Sequence, residues 1–393
     1  MARNIAPLTC KLSGLLLSEL YHTAEGMIEN FAAIINKTGF IPNSGSIQLS
    51  RRSQPPLFVQ MVKDYVSATD DIESLRKWIP SMDREMGFWI TKRRINVELP
   101  SKETSSVFLY RTETNCPRPE NVLSDYYLGM NSTDPLRTWQ ALATACESGW
   151  DFSTRWFDHE GARQCSMSAF YRKMYDKLVH DIDALFWSSK EGSWFDYDLL
   201  TNQLRTDFYP SNVFPLLLTE MKAHSDSVYD YLERIKIYRY PGGIPSTLPV
   251  KSAEQWDFPN VWAPTQHLFV VSLLSTRHPG LRQRAVGEAY KFINTVHDGV
   301  FNPEEGTVCW VYAKPSGIWE KYDARSSRGK PGGGGEYVVQ EGFGWTNGAI
   351  MDLINMVNRE AMSARGAGGR VLFAIGFQFK RIFCGLIVFV LSI

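Results

Sequence analysis

The chain alternates apolar and polar residues with the period of an α-helix over most of its length. From Gly14 to Asn36 the apolar positions Leu17, Leu20, Tyr21, Met27, Ile28, Phe31, Ile34 and Ile35 fall on one face of a helix. Pro56 to Ser67 and Asp71 to Arg93 repeat the pattern, with Asp70 and Asp71 as capping residues. Further helices are predicted over Pro135–Glu147, Ala169–Trp187, Phe214–Thr219, Ser225–Tyr238, Thr265–Leu274, Leu281–Val296 and Thr346–Arg359. Strand signals are short, chiefly Ile95–Leu99 and Val308–Tyr312. The joining loops are rich in glycine, proline and aromatic residues. No low-complexity linker interrupts Gly14 to Glu360, so the pattern predicts one all-helical domain rather than two.

The two ends read differently. The first residues, MARNIAPLTCKLSGLLLSEL, hold only a short apolar run with no small-residue cleavage site after it, and no clear signal peptide is predicted. Val371 to Ile393 is nearly all apolar but is broken by Lys380 and Arg381. A spanning helix needs about 20 apolar residues, and each central charge costs about 2.5–3.5 kcal/mol on insertion scales. Residues 361–393 therefore form a divergent apolar tail, for which membrane association and an interface-lying segment are both carried as expectations.

Composition narrows the chemistry. The 393 residues carry 42 Lys+Arg and 42 Asp+Glu, so the formal net charge is zero and no basic stripe for nucleic acid is expected. Aromatic residues make up 13% of the chain and include 12 Trp, the side chain suited both to a core and to stacking on sugar faces. The six cysteines, at 10, 116, 146, 165, 309 and 384, show no CxxC spacing. The seven histidines show no paired ligand spacing and HExxH is lacking, so no metal site is predicted. No GxSxG elbow occurs, which disfavours a serine hydrolase. The run Gly332–Gly335 is not a phosphate loop, because no GK[ST] follows it. It reads as a flexible loop or as one passing close to a ligand. The sequons at Asn36 and Asn131 point weakly toward secretion.

Four segments set an acid beside an aromatic residue and a turn-former: Ser148–Phe152, Gln255–Pro259, Trp319–Asp323 and Gly335–Tyr337. An acid against an aromatic wall is desolvated and holds its proton to higher pH, as a general acid must. Paired acids among aromatics fit glycoside hydrolysis, and each also fits a helix cap. Arg51–Arg52 and Arg118 sit in proline-bounded turns, where a guanidinium fork serves an oxygen-rich ligand or a structural ion pair equally well.

These segments resemble one family. Gln255 to Pro264 reads QWDFPNVWAP and resembles the trehalase signature QWDxPxxWxP. GFIPN (39–43), RSQPP (52–56), RPE (118–120), ESGWDFSTRW (147–156), EKYD (320–323) and GGGGEYVVQEGFGWTNG (332–348) agree in the family's order. The resemblance, to the trehalases (glycoside hydrolase family 37), covers about residues 14–360. It implies an all-α (α/α)6 toroid, no cofactor, and inverting hydrolysis of α,α-trehalose to two glucoses. Asp151 is then the general acid and Glu320 the base that activates water. Their carboxyls are expected about 6.5–9.5 Å apart. Asn43, Arg52, Ser53, Gln54, Arg118, Pro119, Glu120, Gly149 and Glu336 are expected to line the glucose subsites, with the glycine run as a lid. The resemblance also implies an extracellular or membrane-anchored location. The family's other signature, PGGRFxExYxWDxY, does not precede Gly14. The expectation is thus a truncated member, its toroid incomplete at the N-terminus and its site short of an arginine and a Trp–Asp pair. A catalytically impaired or sugar-binding isoform, and a related glycosidase acting on another disaccharide, are the alternative readings.

Overall fold

The computed structural model describes residues 6–98, 104–150, 152–156, 172–198, 201–301, 317–335 and 337–367. The first helix, α1 (Ala6–Leu17), is followed by α2 (Tyr21–Thr38), α3 (Phe58–Thr69) and α4 (Ile72–Phe88). The single amphipathic run expected from Gly14 is thus two helices. They are split at Glu19, which takes a left-handed φ of 58° that ends α1. Leu12, Ala24, Ile28, Ile35, Phe58, Met61, Val62 and Trp78 from these four helices close a small apolar core. Asp71 caps α4 as expected, its carboxylate accepting the Ser74 N–H at 3.0 Å. Asp70 serves the preceding helix instead: at φ 55° it is the left-handed C-cap of α3, its N–H reaching the Val66 carbonyl.

A ribbon of β1 (Arg94–Glu98) and β2 (Thr104–Phe108) follows, antiparallel, with Ile95 opposite Val107. It confirms the first predicted strand; the second, Val308–Tyr312, lies outside the described residues. Next come α5 (Val122–Met130) and α6 (Pro135–Glu147), packed on each other. The periodicity did not predict α5, nine residues long, whose outer face exposes Leu123, Tyr127 and Met130. Its buried positions are Asp125 and Gly129, so no apolar stripe marks the inner face. The Gly129 backbone lies so close to Trp139 of α6 that a Cβ there would sit 2.3 Å from Nε1.

The larger core is built by α7 (Arg172–Phe186), two short ribbons, β3–β4 (Trp187–Ser188, Ser193–Trp194) and β5–β6 (Asp196–Asp198, Gln203–Arg205), α8 (Ser225–Arg234), α9 (Ala263–Leu274), α10 (Pro279–Phe301) and α11 (Gly344–Ala367). Of the helix expected over Phe214–Thr219, Phe214 to Leu217 belong instead to a 3-10 segment, Pro210–Leu217. Neither Pro210 nor Pro215 has an N–H to donate to an α-helical ladder. Buried Phe269, Val270, Leu273, Ala285, Phe292, Ile293, Leu353 and Ile354 fill the space between α9, α10 and α11. Helix α1 packs along α11, where Gly14 and Gly348 bring the two backbones together: a Cβ on Gly14 would stand 3.2 Å from the Gly348 Cα. The first and last described helices thus lie side by side. α11 runs without a break across residue 360. No helix among the described residues is long and apolar enough to cross a membrane. The apolar segment 371–393 lies outside them.

Two antiparallel strands, β7 (Asn260–Trp262) and β8 (Lys321–Asp323), pair Asn260 with Asp323 and Trp262 with Lys321. This hairpin-like pair carries the QWDFPN and EKYD segments to the same place, though they are far apart in the chain.

Candidate active site

The site is assembled from loops at the ends of α2, α6 and the β7–β8 pair. Its first wall is made by residues 43–54 and 118–149. The backbone bridge between Pro42 and Ser53 folds the GFIPN and RSQPP segments together, with the Asn43 N–H bonded to the Arg52 carbonyl at 2.7 Å. Asn43 Nδ2 and Gln54 Nε2 both donate to the carbonyl of Cys146 at the end of α6, at 3.1 and 3.4 Å. Gly149 takes φ +71°, and a Cβ there would come within 3.1 Å of Gln54 Oε1. That is the physical reason for glycine before Trp150: the backbone must turn left-handed and pass against Gln54.

The arginines are held as forks. Arg118, 4% exposed, gives Nε and Nη2 to the two oxygens of Asp125, each at 2.7 Å, and lies over the Phe152 ring. Its remaining Nη1 reaches Cys146 Sγ at 3.2 Å. Arg52, 5% exposed, pairs with Glu120 through Nη2, while its buried Nη1 has no hydrogen-bond partner among the described residues. A guanidinium nitrogen sealed from water without an acceptor costs about 1–3 kcal/mol. It is the kind of donor that a bound ligand oxygen would satisfy. Pro119 and Glu120 are exposed on the rim, and Ser53 is occupied by Glu147. The structure therefore brings together Asn43, Arg52, Ser53, Gln54, Arg118, Pro119, Glu120 and Gly149. Asp151 and Glu336 lie outside the described residues.

Glu147 carries more of this wall than the sequence disclosed. Wholly buried, it accepts from the Ser53 N–H and hydroxyl at 3.1 and 2.7 Å, from Arg93, from the Arg111 N–H at 2.8 Å and from Thr112 Oγ1 at 3.3 Å. One carboxylate thus ties four separate stretches of chain. Asp257 does similar work on the other side. The QWDFP segment presents it as an acid beside aromatics, yet it is fully buried and accepts from Ser153 Oγ at 2.7 Å and the Thr154 N–H at 3.1 Å. With the Trp256 N–H on the Phe152 carbonyl at 3.2 Å, it fastens the turn that follows residue 151. Asp323 is likewise structural. Burial raises its carboxyl, but the Arg325 hydrogen bonds at 2.9 and 2.6 Å outweigh this and hold it below the ordinary range.

The second wall is Glu320. It is 2% exposed, and its Oε1 accepts the Tyr337 hydroxyl at 2.8 Å. Its N–H bonds the Gln340 carbonyl at 2.8 Å, and its own carbonyl accepts from Trp345 Nε1 at 2.9 Å. Position, orientation and hydrogen bonding are thus fixed before any ligand arrives. Its neighbour Lys321 is fully buried, with Nζ bonded to Gln255 Oε1 at 3.2 Å and to the Gly334 carbonyl at 3.1 Å, and lying over Trp262. Burial pushes its ammonium down to about 8, against the pull of Glu320's charge.

Four indoles join the walls. Trp150 is 5.1 Å from Trp256, Trp256 stacks on Trp262 at 4.0 Å and 5°, and Trp262 meets Trp345 edge-on at 5.5 Å. This column runs from the residue before Asp151 to the indole that holds Glu320. Such rings pack without rotamer freedom to spare, so the column works as a rigid spacer between the two acidic segments. Among the described residues no three His, Cys, Asp or Glu side chains converge as metal ligands.

A mostly helical architecture, with a buried carboxylate and arginine forks on its loops, defines the class: a helical-toroid fold. The solved neutral trehalase of Saccharomyces cerevisiae shares the fold, with a TM-score of 0.65 at 18% identity over 93% of this chain and 73% of that one. The trehalase family model matches residues 10–169 and 162–358. The chain is 34% identical to the trehalase of Apis mellifera over 388 residues, 88% of this chain and 60% of that one. It is 34% identical to that of Homo sapiens, over 88% of this chain and 63% of that one. The chain belongs to the trehalase family. It spans less than two thirds of these relatives' own length.

Proposed function

We propose that the chain hydrolyses α,α-trehalose to two glucoses with inversion at one anomeric carbon. The observation that carries this reading is Glu320: a carboxylate sealed from bulk water and steadied by Tyr337, in a chain of the trehalase family. In the reaction, Glu320 takes a proton from water as that water's oxygen bonds to the anomeric carbon. The bond from that carbon to the bridging oxygen breaks, and Asp151 gives its proton to the departing oxygen. One molecule of water is consumed and no charge is left over. Arg52, through its open Nη1, and Arg118 hold hydroxyl oxygens of the sugar. Asn43, Gln54, Gly149 and Glu336 complete the two subsites.

The test is glucose release from trehalose by purified protein, with maltose and sucrose run beside it. Glu320→Gln should remove turnover while leaving the fold intact, and azide in place of the activated water should restore transfer, giving the glucosyl azide of inverted anomeric configuration. Full activity in Glu320→Gln would end the assignment. Outside the site, the resemblance also supports an extracellular or membrane-anchored location, with Asn36 and Asn131, both exposed, as glycan acceptors. A glycosidase-sensitive mass shift on the secreted protein would test this, and an unshifted mass would remove the glycan part.

A further inference from the structure

The glycine run invites the picture of a swinging lid, but the space around each glycine points elsewhere. A Cβ on Gly332 would stand 2.4 Å from Asn260 Oδ1, one on Gly334 2.7 Å from the Ala253 carbonyl, and one on Gly335 2.5 Å from Gln255 Oε1. Only Gly333 of the four faces open space. These glycines are small because the loop is pressed against its neighbours.

The groups that bond the loop come from both strands of the β7–β8 pair. Asn260 makes a reciprocal pair with Gly333, donating Nδ2 to its carbonyl and accepting its N–H, both at 3.0 Å. A third bond, Asn260 Nδ2 to the Gln255 carbonyl at 2.9 Å, keeps the amide from rotating. Lys321 accepts the Gly332 N–H on its own carbonyl at 2.9 Å and reaches over with Nζ to the Gly334 carbonyl. Three successive residues of the loop are therefore bonded, and the strand register sets Asn260 and Lys321 two rungs apart on β7–β8. Gly333 and Gly334 also line an open, solvent-facing pocket with Phe258, Asn260, Arg325 and Lys330.

Three residues beyond Gly334 stands Tyr337, whose hydroxyl donates to Glu320. We infer that Asn260 and Lys321 are positioning residues: they clamp the glycine loop so that Tyr337 is delivered to Glu320. The catalytic part of this inference rests on the proposed role of Glu320; the clamp itself does not. Lys321 is placed for both ends of the task, its ammonium bonded to the loop and lying 5.8 Å from the centre of the Tyr337 ring.

The experiment compares the full chain with Asn260→Ala and Lys321→Met by hydrogen exchange of the 332–335 amides and by kcat and KM on trehalose. Loss of two hydrogen bonds should speed exchange at these amides about tenfold or more. It should lower kcat about tenfold with KM little changed, because Glu320 rather than sugar binding is disturbed. Unchanged exchange overturns the clamp whatever the activity. Faster exchange with an unchanged kcat overturns the positioning role. A wild-type chain that releases no glucose from trehalose, with faster exchange in the variants, leaves the clamp standing and removes the substrate reading instead. Should Lys321→Met fail to fold, Asn260→Ala, which removes no buried charge, decides both points alone.

Discussion

Replacing Glu147 with Gln changes one atom and should be among the most damaging isosteric substitutions in the chain. Oε1 of Glu147 receives Arg93 and both donors of Ser53, while Oε2 receives the Arg111 N–H and Thr112 Oγ1. Every partner is a donor. An amide in either orientation therefore points its own N–H₂ at donors and leaves at least one side unmatched. It also strips the counter-charge from Arg93, whose side chain is 12% exposed. Breaking a buried pair by removing one partner costs about 3–5 kcal/mol, and exposure of Arg93 places this pair at the lower end, about 3 kcal/mol. The assay is urea unfolding of wild type, Glu147→Gln, Arg93→Met and the double variant. If the penalty arises from a stranded cation, the double variant will be more stable than the sum of the singles, by about 1–3 kcal/mol of coupling. A Glu147→Gln loss below about 1 kcal/mol, or strict additivity in the cycle, would refute the reasoning.

Other consequences can be checked singly. Burial raises Glu85 to about 8 from an ordinary 4.5, so the folded chain holds a proton there that the unfolded chain releases. That contribution is complete below 4.5 and is lost as pH rises toward 8, and Glu85→Gln should flatten this part of the stability–pH curve in denaturant titrations at pH 5 and 8. An equal slope in both proteins would show that Glu85 is not the source. Gly129→Ala should cost about 1–3 kcal/mol, since the new methyl displaces Trp139, whose indole holds the Asp125 carbonyl; a Tm within error of wild type would contradict the packing. Arg118→Lys keeps the charge but not the two-pronged bond to Asp125, and should raise KM for trehalose about tenfold. An unchanged KM would take Arg118 out of the subsite.

How much of this was legible beforehand depended on how local the signal was. The Asp71 cap and the long helices α3, α9, α10 and α11 follow from spacing within one segment, and the sequence reading found them. Asp70 is a cap as well, but which helix it serves is not legible, because Asp suits both a helix start and a left-handed stop; only φ separates the two. The wall residues were found through contiguous motifs such as RSQPP and ESGWD. Glu147 was quoted within its motif but not recognised as its anchor, because its partners lie 94, 54 and 36 residues away. Asp257 is the converse: an acid among aromatics reads as chemistry, whereas its neighbours Ser153 and Thr154 make it a fastener. No local pattern distinguishes those roles, since both put a carboxylate in a dry place.

The seam between α1 and α11 has a bearing on biosynthesis. As the polypeptide leaves the ribosome, α2, α3 and α4 find one another at once, and their small apolar cluster can consolidate early. α1 joins them by one face, through Leu12, but its other face, at Gly14, waits for the surface around Gly348 on α11, far along the chain. Until α11 has emerged, that face of α1 stays uncovered, and chaperone capture matters most in that interval.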